Sequence, residues 1–207
     1  MLLDTSVLSE ARRSEPIEEV VDFFRSLPDE SIAIPMLSVF ELERGARSLM
    51  TKDRERGTLY LEWLSELITK DIYFPPMTVE VFRLIARMAA FPPFHSYWRN
   101  DGPSKKLRFG CDPAIAAVSI IHGIPIATLD IRDFMRIHEF FPLPGLYDPV
   151  HRIWHVKSDK PPSAEHDPPR ANSVLFPYGM RANRCAGLRE TYAFDRIHSW
   201  HGLPLIA

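Results

Sequence analysis

Short apolar runs recur along this chain, and each is separated from the next by a stretch with helical apolar spacing. The runs are Leu2-Leu3 and residues 31–35, 72–74 and 124–128. Between them, Ile17, Val20, Val21, Phe24 and Leu27 follow i, i+3, i+4, i+7 spacing, so residues 15–27 are expected to form an amphipathic helix. Pro16 suits its first turn, and Glu18 and Glu19 favour its N-terminal dipole. Helices are likewise expected at 38–50, 54–69 (Tyr60, Trp63, Leu64 and Leu67 inward), 78–91, 112–122 and 130–137, with Gly123 as a C-terminal stop. Strands that alternate with helices pair in parallel through crossovers. The expected fold is therefore α/β, a three-layer α/β/α sandwich with a parallel sheet.

The pattern changes near residue 147. Beyond it come Pro161-Pro162, Pro168-Pro169 and scattered histidines and arginines, with few apolar clusters. The expected division is a compact domain over 1–147 and a weakly ordered Pro/His-rich extension over 148–207. The chain of 207 residues has a formal net charge of −2. A protein that grips phosphates by bulk charge is usually more basic, so a nucleic-acid role would rest on a local site. Two cysteines, Cys111 and Cys185, make no disulfide framework. No apolar run approaches the ~20 residues of a membrane span. The opening Met-Leu-Leu-Asp has neither the basic nor the apolar region of a secretion signal, and the cysteine usage fits a reducing, cytoplasmic setting.

Ligand sites in such folds lie beyond the carboxyl ends of the strands. Asp4 follows the first run directly. Glu41 lies just after the run ending at Pro35, Asp112 stands at a helix start, and Asp130 follows the run ending at Thr128, with Asp133 a turn further on. Each has an ordinary explanation. Asp4, Asp112 and Asp130 could cap helices, and Ser38 with Glu41 could form a capping box. Capping would accept Ser, Thr or Asn equally well, so acids at four helix starts along one edge favour a site. Carboxylates gathered there would repel one another or take up protons unless a cation joined them. Oxygen ligands suit Mg²⁺ or Mn²⁺, and such an ion can activate water for phosphodiester hydrolysis.

Three stretches carry a resemblance. They are Met-Leu-Leu-Asp-Thr-Ser-Val-Leu-Ser at 1–9, Ser-Val-Phe-Glu-Leu-Glu-Arg-Gly at 38–45, and Cys-Asp-Pro-Ala-Ile-Ala-Ala at 111–117 followed by Ile-Ala-Thr-Leu-Asp-Ile-Arg-Asp-Phe at 126–134. In order and rough spacing, residues 1 to about 145 resemble the PIN-domain family, specifically its VapC-like toxin ribonucleases from type II toxin–antitoxin systems. The resemblance implies that Asp4, Glu41, Asp112 and Asp130 are catalytic. Asp4 and Asp112 would be the main ligands of Mg²⁺ (or Mn²⁺), and Glu41 and Asp130 would hold water or a second ion. Thr5, Ser6 and Thr128 would support the site by hydrogen bonds. It also implies RNA as substrate, a cognate antitoxin that covers the groove, and a homodimer.

An acidic centre that acts on a polyanion needs a basic rim. Arg44 and Arg47 follow Glu41, and Lys105, Lys106 and Arg108 precede Asp112 within an unusually long segment, 92–110. Tyr97 and Trp98 in that segment are candidates for base stacking. His151/His155 and His198/His201 have spacings that bind zinc on a helix, but their Pro-rich context argues against one. Two other functions compete. A haloacid-dehalogenase-type phosphatase needs a second Asp two residues after Asp4, where this chain has Ser6. A catalytically silent binding module for an antitoxin or nucleic acid would have less need of four acids.

Overall fold

The computed structural model describes residues 1–13, 15–28, 31–98 and 109–157. The element order is β1 (Leu2–Leu3), α1 (Thr5–Ala11), α2 (Glu18–Ser26), α3 (Met36–Met50), α4 (Arg54–Ile68), α5 (Val79–Ala90), a 3-10 turn (Pro92–Phe94), α6 (His95–Trp98), α7 (Cys111–His122), β2 (Ile126–Ala127), α8 (Ile131–His138), β3 (Leu146–Asp148) and β4 (Ile153–Val156). The strands are short. β1, β2 and β3 pair in parallel in that order, and β4 adds antiparallel to β3. Single bridges from Leu2 to Ala33 and from Ala33 to Tyr73 extend the sheet on the other side of β1. The runs expected as strands at 31–35 and 72–74 thus enter the sheet through one residue each.

Successive strand residues point to opposite faces. Leu2, Ala33, Ile126 and Leu146 enter one apolar core with α5, α7 and α8, around Val81, Met88, Ile115, Phe134 and Ile137. Leu3, Ile32, Ile34 and Ala127 enter a second core with α1, α2 and α4, around Val7, Phe24, Trp63 and Leu67. α3 closes the edge, giving Leu37 to the first core and Leu42 to the second. This is the expected three-layer α/β/α arrangement.

Two features add detail to the expected pattern. The sheet is mixed, because a tight turn, not a crossover helix, joins β3 to β4. Asp148 Oδ1 accepts the backbone N–H groups of Val150 (2.9 Å) and His151 (3.1 Å), and Arg152 takes a positive φ of 56°. Arg152 Nη2 then donates to Asp22 Oδ2 of α2 at 3.0 Å, tying the hairpin to the domain. β3 spans residue 147, and β4 follows it among the described residues. His151 and His155 lie in that turn and strand, not on a helix. Both face the Asp148 carboxylate, at 2.8 and 3.7 Å. His198, His201, Cys185 and the rest of the extension from 158 lie outside the described residues.

A candidate acidic centre at the sheet edge

β1 ends where α1 begins, and Asp4 occupies that junction. Its N–H donates to the carbonyl of Ala127 in β2 at 3.0 Å, and its side chain is buried. Three donors meet its Oδ2: the Ser6 hydroxyl (2.6 Å), the Thr128 hydroxyl (2.7 Å) and the Ser6 N–H (3.3 Å). The direction of these bonds is fixed one step further out. Ser6 Oγ accepts from Leu129 N–H at 3.0 Å, and Thr128 Oγ1 accepts from Asp130 N–H at 2.9 Å. Each hydroxyl therefore has its proton to give to Asp4. Burial pushes the Asp4 carboxyl above its usual range, and the Ser6 and Thr128 bonds pull the other way.

Glu41 lies in the second turn of α3, and Thr5 Oγ1 donates to its Oε2 at 2.7 Å. Thr5 Oγ1 also lies 3.0 Å from Ser38 Oγ. No capping box forms, since α3 begins at Met36 with Pro35 as its N-cap. Asp112 does not cap α7 either. Gly110 holds the N-cap, and a Cβ there would come 2.9 Å from the Trp98 ring. Asp130 precedes α8 but makes no side-chain cap bond. Only Asp4 serves as a cap, to α1. Helix capping thus leaves three of the four acids unexplained.

The fold brings these acids into one electrostatic neighbourhood. Burial, and then repulsion from Asp4, Glu41, Asp133 and Asp130, pushes the Asp112 carboxyl up to about 7. Burial and then Asp133 raise Asp130. Exposure grades outward from Asp4 (buried) through Asp112 and Glu41 (half-buried) to Asp130 and Asp133 (exposed). The sequence gives Cys111 no role at this centre. It is buried beside Glu41, and burial followed by that charge raises its thiol. Its position directly before Asp112 was the one clue available.

Among the described residues, no three His, Cys, Asp or Glu side chains are placed to hold a metal ion directly. The donor set still fits a hard divalent ion, which typically keeps several waters and takes one or two carboxylates.

Of the residues expected on a basic rim, Arg44 and Arg47 lie among the described residues. Arg44 is exposed, lies over the Phe40 ring and sits 3.8 Å from Glu41. Lys105, Lys106 and Arg108 lie outside the described residues. Tyr97 is corrected. It is buried, its hydroxyl donates to the carbonyl of Asp133 at 3.0 Å, and its ring meets Phe94, so it fastens α6 to the start of α8 and cannot stack on a base. Burial, and then Asp133, push its hydroxyl up to about 12.

A central β1–β2 pair flanked by two helical layers, with acids gathered at the strand ends, defines a PIN-like α/β protein. No family model matches the chain. Toxin FitB of Neisseria gonorrhoeae is 30% identical over 135 residues, spanning 65% of this chain and 90% of that protein. The crystal structure of FitAcB from Neisseria gonorrhoeae superposes with a TM-score of 0.52 at 25% identity, covering 72% of this chain and 98% of that one. The structure of FitAB bound to the IR36 DNA fragment gives a TM-score of 0.51 at 24% identity, covering 74% and 98%. The chain belongs to the VapC-like PIN-domain toxins of type II toxin–antitoxin systems.

Proposed function

We propose that this protein is a Mg²⁺- or Mn²⁺-dependent endoribonuclease, the toxin of a toxin–antitoxin pair. The observation that carries the reading is the Asp112 carboxyl, held near neutrality among four other acids. Asp4 and Asp112 would hold the ion. When bound, it would lower the pKa of a water and offset charge on the phosphodiester. Ser6 and Thr128 orient Asp4 through its Oδ2. Thr5 orients Glu41. Glu41 and Asp130, both more exposed than Asp4, would hold water or a second ion. Arg44, with Lys105, Lys106 and Arg108, would contact the RNA backbone. A cognate antitoxin and a second copy of the chain are the protein partners this reading implies, with a cytoplasmic setting. Among the described residues, no helix is long and apolar enough to cross a membrane.

The alternative is a catalytically silent PIN-fold module that binds antitoxin or nucleic acid. The lack, among the described residues, of three directly converging ligands favours it. Purified protein with Mg²⁺ or Mn²⁺ should cut RNA, and Asp4→Ala and Asp112→Asn should each abolish cutting while the protein still melts cooperatively. Full activity in both variants would reject the site. RNA binding with no divalent-dependent cleavage across several RNA types would leave the silent module.

A further inference from the structure

A second feature lies at the far end of α1. Arg12, its C-cap residue, places its guanidinium carbon 4.2 Å from the centre of the Tyr60 ring on α4. Arg56, one turn before Tyr60, lies 5.6 Å from the same centre, and its Nε donates to the Tyr60 hydroxyl at 3.0 Å. Two like charges are thus held around one ring. Among the described residues, neither lies within ion-pair distance of a carboxylate. Arg54, Arg83, Arg87, Arg132 and Arg136 also lack one, but among the described residues no other ring carries two guanidinium groups. Arg12 is half-buried, and burial holds its guanidinium below its ordinary range, with Tyr60 and Arg56 acting in opposite directions.

Desolvating one guanidinium beside another is unfavourable unless an anion joins them. Arginine's planar fork suits phosphate oxygens, and the bond is charge-assisted. Guanidinium groups already occupy the Tyr60 ring, so the platform serves an oxyanion and not a stacked base. Position along α1 links it to the acids. Thr5, Ser9 and Arg12 follow i, i+4, i+7 spacing and so share one stripe. Thr5 already touches Glu41. Eight residues separate Asp4 from Arg12, about 12 Å along a helix axis.

We infer that Arg12 and Arg56, braced on Tyr60, form an anchoring site for backbone phosphates of the RNA, a few nucleotides from the bond that is cut. This rests on the ribonuclease reading for its ligand but not for its test.

The test uses the full chain and a labelled, unstructured single-stranded RNA in EDTA, where binding is measured without cleavage. Each phosphate contact on a single strand contributes about 0.7 to the slope of log K against log salt. Arg12→Gln with Arg56→Gln should lower the slope by about 1.4 and weaken binding roughly tenfold at physiological salt. Arg56→Gln alone, at an exposed position, should lower it by about 0.7, so the inference stays testable if the Arg12 variant folds poorly. Unchanged slopes in folded variants would overturn it, even if the wild type cuts RNA. A lowered slope would uphold it, even if no RNA is ever cut. If the slopes hold and only the wild type binds a polyglutamate peptide, the inference fails in favour of an acidic protein partner.

Discussion

Replacing Asp112 with asparagine removes one charge from the acidic centre with almost no change in shape. In the folded chain without metal, this carboxyl titrates near 7, against 3.8 for an unperturbed aspartate. The folded state therefore keeps a proton that the unfolded chain has already lost. The sign follows from linkage: the stability tied to this group is fully present below about 3.8 and is lost as pH rises through about 7. The full displacement corresponds to ~4 kcal/mol. Asp112 is only half-buried and shares its repulsion with its neighbours, so about half of that, ~2 kcal/mol, is a reasonable expectation. Its charge also sits in the first turn of α7, where the helix dipole favours it by ~0.5 kcal/mol. Asp112→Asn should then stabilise the metal-free protein by ~1.5 kcal/mol at pH 8, about 3–6 °C in Tm. Thermal unfolding in EDTA from pH 4 to pH 8.5 would show this, with the gap closing toward pH 4. Added Mg²⁺ should raise the Tm of the wild type at pH 8 more than that of the variant. A variant that melts no higher than the wild type at pH 8, or a gap independent of pH, would refute the reasoning.

Two further outcomes follow from the packing. Thr128→Val keeps the shape of a buried side chain but removes a donor to Asp4 Oδ2 and an acceptor for Asp130 N–H, so urea denaturation should show a loss of ~1–3 kcal/mol and RNA cleavage should fall. Gly57→Ala would drive a Cβ to 2.8 Å from Met50 N and 2.9 Å from its Cα where α3 and α4 meet, so a calorimetric melt should show a loss of ~1–3 kcal/mol with little change at the acidic centre.

The sequence showed the helices with wide apolar faces, α2, α4, α5 and α7, because each commits several large side chains to a core. α1 shows in the sequence only as a possible cap at Asp4, because Thr5–Ala11 is short and has two inward aliphatics. The β3–β4 hairpin was invisible for a different reason. Ile153 and Trp154 remain exposed, so backbone pairing and the Asp148 turn define it where apolar alternation would otherwise signal a strand. The acids could be named because each follows a strand or opens a helix. Their mutual repulsion is expected from the sequence, but how strongly it falls on Asp112 is not, since that depends on how β1 and β2 pair across more than a hundred residues of chain. Tyr97 was misjudged because an aromatic in a Pro-rich segment looks available. Phe94 in fact packs against the Tyr97 ring, and Phe91, Phe140 and Phe141 pack in turn around Phe94.

Asp4 is at once the last rung joining β1 to β2 and the innermost carboxylate, gripped through two hydroxyls by the backbone that leads into α8. Loosening that carboxylate would mean parting the middle of the sheet. A molecule that silences such a centre works far more cheaply by stoppering its mouth, where Asp130 and Asp133 meet solvent, than by deforming its floor. Release from inhibition would then return a fully formed centre with no refolding step.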